Sequence, residues 1–497
     1  MTSTLENVVP LMPVDGSFRK MLIGGQWVES ASGRTMETRN PATGELLATV
    51  PRGDSVDIDR AVAAARAAFE GPWSRVRPAQ RQKLLLDIAD IVESRWDELS
   101  MSDTLDMGKP LTRIRADKGR ATGMLRYYAG LATTLDGRTI DNSQAADFFS
   151  YTRKEAIGVV GAIIPWNAPI AATIWKIGPA LAAGCTIVLK PSEEAPLSPL
   201  LIAAIMTEAG VPEGVVNVVT GTGLEAGAPL AEHPDVDKIA FTGSTETGQS
   251  IVRASAVNLK RVSIELGGKS PLIVCADADL DKAVPTVALS AFANSGQICI
   301  AGSRLFVERS IHDEFVERLG VYARNLRVGN GLDPETEIGP IVSTRQLDRV
   351  VGYLESGVAE GARVVAGGSR RMDGLLAAGN FVSPTIFADA RDDMKIVREE
   401  IFGPVISAMP FDTIDEAVGR ANSTVYGLAA GVFTQDVGKA HRIANRIQAG
   451  SVWINTYHVL DPAVPFGGYK KSGYGKEGGI EHVEEYLSTK TVWLGLD

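Results

Sequence analysis

The stretch Gly158-Val-Val-Gly-Ala-Ile-Ile-Pro-Trp-Asn-Ala-Pro-Ile-Ala-Ala-Thr-Ile-Trp-Lys-Ile-Gly-Pro-Ala-Leu-Ala-Ala-Gly-Cys-Thr-Ile-Val-Leu-Lys190 decides the fold class. Residues 159–164 and 186–189 are short, continuous apolar runs, and 171–183 between them is Ala-rich with helical spacing. The weakly charged span 156–175 is about as long as the ~20 residues needed to cross a bilayer. Pro165, Asn167 and Pro169 interrupt its middle, however, and would leave backbone groups unpaired in lipid. It reads as a core strand, a special turn and a core helix.

The alternation continues outward with helices over 197–208, 224–232 and 245–254 and strands over 215–220, 238–241 and 261–265. Short apolar strands separated by helices predict a parallel, doubly wound α/β sheet. In such sheets ligands bind beyond the carboxyl ends of the strands. A second α/β region begins near 270, with strands over 271–274, 305–307, 363–366, 405–410 and 452–455; Leu266-Gly267-Gly268 is the candidate boundary. Upstream, 21–28 reads as a hairpin turning at Gly24-Gly25, and 55–69, 80–99 and 117–131 as helices. Residues 136–151, with a β-like 148–152, read as an excursion from the compact body.

The 497 residues exceed one core of ~250–300 residues, so several domains are expected. Lys and Arg total 50 against 60 Asp and Glu, a net charge of −10, which argues against a dedicated nucleic-acid or anionic-membrane binder. With 45% apolar residues the chain is not disordered. Cys185, Cys275 and Cys299 are too few for a disulfide scaffold and suit a reducing cytosol. Residues 1–20 carry no basic-then-apolar leader, and Glu6 and Asp15 disfavour a transit peptide. A cytoplasmic protein is expected.

Candidate chemistry gathers in a few segments. Cys299, in Gly296-Gln-Ile-Cys, lies in a Gly-flanked turn where a thiolate could act as a nucleophile; a buried packing role is the common alternative. Asn167 sits between two prolines and could donate to an oxyanion, or instead make a local Asx-type turn bond. Glu265 ends an apolar strand in Glu265-Leu-Gly-Gly-Lys269 and could be a general base; a cap or an ion pair with Lys269 competes. Glu477, in Gly475-Lys-Glu-Gly-Gly479, is a weaker candidate of the same type. Three loops could hold a dinucleotide: Lys190-Pro-Ser-Glu193, Phe241-Thr-Gly-Ser-Thr-Glu-Thr-Gly248, and Gly221-Thr-Gly-Leu-Glu-Ala-Gly227. The five histidines show no metal-ligand spacing, so no metal is expected.

Taken in order, Pro165-Trp-Asn-Ala-Pro, Lys190-Pro-Ser-Glu, Phe241-Thr-Gly-Ser-Thr, Glu265-Leu-Gly-Gly-Lys, Gly296-Gln-Ile-Cys, Glu400-Ile-Phe-Gly-Pro and Pro465-Phe-Gly-Gly-Tyr-Lys-Lys-Ser-Gly473 resemble the NAD(P)-dependent aldehyde dehydrogenase superfamily from about residue 23 to 491. The resemblance implies a Rossmann-type NAD-binding domain (1–135 and 154–266), a catalytic α/β domain (267–472) and a β oligomerisation arm (136–153 and 473–497). It implies Cys299 as the nucleophile, Asn167 as an oxyanion donor, Glu265 as the base that hydrolyses a thioester, and Glu477 as its proton relay. It also implies cofactor contacts at Ile163, Pro165 and Trp166; at Lys190, Ser192 and Glu193; at Gly223 and Gly227; at Phe241, Thr242, Gly243 and Ser244; and at Leu266, Glu400 and Phe402. Glu265 favours the hydrolytic over the CoA-acylating branch. Glu193 favours NAD, with NADP possible through Lys190. The substrate lining implied is Ala168, Ala172, Trp175, Ile298, Ile300, Leu460 and Phe466. With two alanines where bulkier residues are common and no cation among these positions, a bulky apolar aldehyde, aromatic or terpenoid, is expected. A homodimer or homotetramer is expected from the arm. A catalytically silent NAD-binding protein on the same fold is the alternative of a different class.

Overall fold

A computed structural model describes residues 19–496. The segment read as lacking a leader falls, up to residue 18, outside them.

The quoted stretch forms the strand Val159–Ile163, the helix Pro169–Ala183 and the strand Thr186–Lys190. Every residue of both strands is buried. Gly161 lets a helix lie close to the sheet, because a Cβ there would sit 2.6 Å from Ile239 Cδ1 and 3.1 Å from Leu230 Cγ. The helix starts with Pro169 in its first turn, where the missing N–H costs nothing, and stops at left-handed Gly184 (φ +90°).

These strands belong to an eight-stranded sheet. Its order is Gly473–Tyr474, Arg261–Glu265, Lys238–Thr242, Val159–Ile163, Thr186–Lys190, Val216–Val218, Met21–Ile23 and Gln26–Val28. The central five are parallel, as expected, and the edges are antiparallel. The chain reverses its winding between Val159–Ile163 and Lys238–Thr242, which makes a switch-point crevice at Pro165 and Gly243. A seven-stranded sheet follows, parallel but for its first pair: Arg363–Ala366, Thr385–Ala388, Val405–Phe411, Arg304–Glu308, Pro271–Val274, Ala429–Phe433 and Ser451–Ile454. The excursion becomes a three-stranded antiparallel sheet, in which Leu487–Gly495 pairs with Phe148–Ala156 along its whole length.

Several expectations need correction. The single helix over 80–99 is two, Pro78–Ser94 and Trp96–Met107, broken at Arg95. The helix over 224–232 begins as the π-type turn Gly223–Gly227 and only then becomes the α-helix Ala228–Glu232. Strands Thr385–Ala388 and Ala429–Phe433 were not read from the sequence. Gly473–Tyr474, inside the segment expected for the arm, instead edges the large sheet beside Glu265. Among the described residues no helix is long and apolar enough to cross a membrane.

Candidate active site

The helix Leu280–Phe292 ends in the tight turn Ala293–Gly296, where Asn294, Ser295 and Gly296 take φ of 50°, 57° and 71°. Left-handed Ser is costly, about 1–3 kcal/mol, and needs external support. The buried Gln297 side chain supplies it: Nε2 donates to Asn294 O at 3.0 Å, and Oε1 accepts from Val342 N at 2.9 Å. Ser295 Oγ donates to Gly339 O at 2.7 Å. A side chain at Gly296 would strike Gly403 O at 2.0 Å. The braced turn carries Cys299, half-buried, into a cleft of about 830 Å³. Cys185 and Cys275 are buried, the packing role expected of them.

Asn167 precedes the helix Pro169–Ala183 and makes no local turn bond with its side chain. Its Nδ2 donates instead to Gln297 O at 2.9 Å, while its own carbonyl accepts from Asn294 Nδ2 at 3.0 Å. A carboxamide has two N–H donors, so one orients the group and the second is left for a ligand.

Glu265 is 5% exposed and neither carboxylate oxygen has a partner, so both bland alternatives fail. Lys269 Nζ is itself buried without a partner and, chiefly through burial, is held down at about 7. Burial raises the Glu265 carboxyl well above its ordinary value, and the Glu477 charge adds to this. Room for the carboxylate comes from Gly467, where a Cβ would lie 2.6 Å from Glu265 Oε1. Glu477 forms a buried ion pair with Lys176, and Thr242 Oγ1 donates to Glu477 Oε1 at 3.5 Å. Burial, then the charges of Glu400, Glu265 and Glu477, push the Cys299 thiol up. The resting group is therefore the thiol.

Thr242, Gly243 and Ser244 line the same cleft at the switch point, with Pro165, Trp166 and Leu266. Ser244 Oγ caps the helix Thr245–Ser255 by accepting from Thr247 N at 3.2 Å. The Phe241 ring packs where a Cβ on Gly243 would lie, 2.4 Å from its Cζ. Glu400 Oε1 accepts from Gly268 N at 3.1 Å, and burial pushes its carboxyl up to about 7. Phe402 is left-handed (φ 57°); Gln346 Nε2 holds its carbonyl at 2.9 Å and Trp166 meets its ring edge-on at 5.2 Å. Ala168, Ala172, Trp175, Ile298, Ile300, Leu460 and Phe466 all line the cleft, with Trp175 stacked on Phe466 at 6.2 Å. Charged groups also reach the lining: Lys109 and Arg120 pair with Asp117 at 2.7 and 3.0 Å.

The remaining candidates gather elsewhere, at the ends of the two strands of the quoted stretch. Lys190 Nζ lies 3.1 Å from Glu193 Oε2. A Cβ on Gly227 would lie 3.9 Å from Lys190 Cδ and 4.0 Å from Ile163 Cδ1, and Gly223 faces open space. Ser192 Oγ accepts from Glu194 N at 3.3 Å.

Comparison with known proteins shows the family. The pattern of the aldehyde dehydrogenase family matches residues 27–492. The chain belongs to the aldehyde dehydrogenase family. Aldehyde dehydrogenase 1 of Tanacetum cinerariifolium is 47% identical over 481 residues, spanning 96% of this chain and 95% of that one. A solved NAD+ complex of an aldehyde dehydrogenase from Bacillus cereus is 49% identical, with a TM-score of 0.94 and coverage of 96% and 97%. A betaine aldehyde dehydrogenase from Staphylococcus aureus, solved with NAD+, is 41% identical, with a TM-score of 0.95 and coverage of 96% and 95%. This aldehyde dehydrogenase is thus an oxidoreductase acting on aldehydes.

Sequence reading of the aldehyde dehydrogenase missed Gln297, Asn294 and Gln346, which brace the cleft, and Lys176, which pairs with Glu477. Lys176 did leave a signal. It is the lone charge in the otherwise apolar helix Pro169–Ala183 and is 2% exposed, and a lysine so placed needs an anionic partner.

Proposed function

We propose that the enzyme oxidises an aldehyde to its acid with NAD, Cys299 being the nucleophile, Asn167 the oxyanion donor and Glu265 the base. The observation that carries this reading is the convergence of those three side chains on one cleft. Cys299 Sγ, its proton passed to solvent water in the cleft, bonds the aldehyde carbon as the C=O π pair moves to oxygen, giving the thiohemiacetal as its oxyanion. The free Asn167 N–H and the Cys299 backbone N–H hold the oxyanion. NAD, when bound, supplies the hydride acceptor. Glu265 then takes a proton from water, which attacks the thioester on Cys299 and releases the acid. Burial raises the Glu265 carboxyl, which makes its carboxylate the stronger proton acceptor. Glu477, beside it and paired with Lys176, is the proton relay.

The residues present fit NAD. Gly227 leaves space beside Lys190 and Ile163, while Gly243 and Gly267 admit the Phe241 ring and the Glu400 carboxylate, whose Oε2 would lie 2.0 Å from a Cβ on Gly267. Lys190 and Glu193 are read as ribose-hydroxyl partners, with Ser244 near the pyrophosphate and Glu400 and Phe402 at the nicotinamide end. Burial opposes ionisation of Glu193, but the Lys190 ammonium outweighs it and holds the carboxyl below its usual range. A charged carboxylate repels a 2′-phosphate, so NAD is preferred over NADP. Residues 1–135 with 154–266 are read as the cofactor domain and 267–472 as the catalytic domain.

The substrate is a bulky apolar aldehyde, aromatic or terpenoid. Supporting this are Ala168 and Ala172, set among Trp175, Ile298, Ile300, Leu460 and Phe466. Rates for acetaldehyde, phenylacetaldehyde, geranial and succinic semialdehyde, with NAD, NADP and added CoA, test the reading. The expected outcome is the highest kcat/KM for a bulky aldehyde with NAD and the free acid as product. Preference for acetaldehyde or the semialdehyde refutes the substrate class, and acyl-CoA as product refutes hydrolysis. Ile140, Phe148, Trp493 and Leu494 lie exposed on the three-stranded sheet and are read as covered by further copies in a cytoplasmic dimer or tetramer.

A further inference from the structure

Glu477 is followed by Gly478 and Gly479, both left-handed at φ 71° and 68°. Two such glycines in succession make a turn that residues with a Cβ rarely adopt, and a Cβ on Gly478 would meet Val464 O at 2.6 Å. Phe466 holds both peptide units flanking Glu477: its carbonyl accepts from Glu477 N–H at 2.7 Å, and its N–H donates to Glu477 O at 2.6 Å. Beyond Glu477, Gly479 N–H donates to Pro462 O at 2.8 Å, which leaves Gly478 N–H to His482, in the first helical turn that follows. Gly478 N–H donates to His482 Nδ1 at 3.2 Å, and Tyr128 Oη lies 2.7 Å from the same nitrogen. Because the amide must donate, Nδ1 is the acceptor and the hydroxyl shares its lone pair.

The ring is fully enclosed. His482 is 1% exposed, and the Tyr128 and Tyr486 rings meet it edge-on at 5.6 Å each. Burial, then the Lys176 and Lys238 charges, hold the imidazole far below its ordinary value, so it stays neutral and keeps Nδ1 as an acceptor. Lys176 thus acts on both ends of the turn: it pairs with the Glu477 carboxylate and disfavours a second cation at His482. The proposed reaction gives His482 no direct part.

We infer that His482 is a positioning residue: by holding Gly478 N–H it orients the backbone that presents the Glu477 carboxylate to Lys176 and Thr242, and so tunes the rate of thioester hydrolysis. The inference rests on the proposed relay role of Glu477. A misplaced relay slows the step that uses it and spares the earlier ones.

His482→Phe keeps an aromatic ring but removes the acceptor, and His482→Asn places Oδ1 at the branch point of Nδ1. Each is compared with Glu477→Gln by steady-state kinetics, by rapid-quench measurement of the first-turnover NADH burst, by NAD binding and by thermal unfolding. For His482→Phe the expected result is a kcat lower by about tenfold, a fraction of the ~10²–10⁴ that acid–base groups contribute. The burst should stay near one NADH per site, with aldehyde KM within about twofold. His482→Asn should recover kcat to within about threefold of wild type. A wild-type kcat in His482→Phe alongside a slow Glu477→Gln overturns the positioning role alone. So does loss of burst and kcat together, or a His482→Asn variant as slow as His482→Phe. A wild-type Glu477→Gln overturns the relay reading and this inference with it.

Discussion

Replacing Gly227 by alanine separates cofactor binding from folding. Its backbone is already helical, φ −69° and ψ −47°. An added Cβ would meet Lys190 Cδ at 3.9 Å and Ile163 Cδ1 at 4.0 Å, both ordinary van der Waals distances. The free protein should therefore accept the methyl without strain. Alanine is favoured over glycine in a helix by about 1 kcal/mol, so Tm should hold or rise, by up to about 2 °C in a chain this long. The same methyl protrudes into the groove beside Lys190 where the adenosine half of NAD is proposed to lie. Overfilling a packed site by one methyl costs about 1–3 kcal/mol. At 1.4 kcal/mol per decade this raises the NAD Kd about 5- to 150-fold. At saturating NAD, kcat should stay near wild type, because Gly227 does not line the Cys299 cleft. Calorimetry of the NAD-free protein, a fluorescence titration with NAD, and KM for NAD against kcat measure the three terms. An NAD Kd within about twofold of wild type refutes the placement of the cofactor. A Tm loss of more than about 4 °C refutes the steric argument.

Glu265→Gln should lower kcat by about 10²–10⁴ while the first NADH is still released and an acyl adduct accumulates on Cys299, visible by intact-protein mass spectrometry; loss of that burst contradicts a role confined to hydrolysis. Ala168→Phe should cut kcat/KM for aryl aldehydes about 5- to 150-fold and leave acetaldehyde within about twofold, whereas equal losses for both would mean that Ala168 does not set the pocket width. Burial and neighbouring carboxylates raise the Cys299 thiol, so the reactive thiolate grows as pH rises. Alkylation by iodoacetamide in the NAD-free enzyme should then keep accelerating to about pH 10, and a plateau below about pH 8 is incompatible with this environment.

Much of the architecture was legible because its signals are local. The Val159–Ile163, Thr186–Lys190 and Leu197–Glu208 elements follow from apolar runs of the right length between breakers. Ala429–Phe433 escaped notice because Ala-Ala-Gly-Val-Phe has little β-branched character, and its strand state comes from neighbours in the sheet. The break at Arg95 was hidden because no glycine or proline marks it; Arg95 itself leaves helical geometry, at φ −100° and ψ 17°. At the site, Cys299, Asn167 and Glu265 stood out through the turns that carry them. The Lys176–Glu477 pair did not, since 301 residues separate its members.

By itself the sequence determined the α/β alternation, the types of reactive group and the breakers that set them at strand and helix ends. All of these depend on residues within a turn or two of one another. Tertiary structure decided their chemical state. Asn167 has one N–H committed and one left over only because Gln297 O lies 2.9 Å away. Burial, which leaves both Glu265 oxygens without partners, and then the Glu477 charge raise its carboxyl above the ordinary value. Lys190 and Glu193, by contrast, stabilise each other's charge. Desolvation and pairing are properties of the packed neighbourhood, and most of that neighbourhood is distant in the chain.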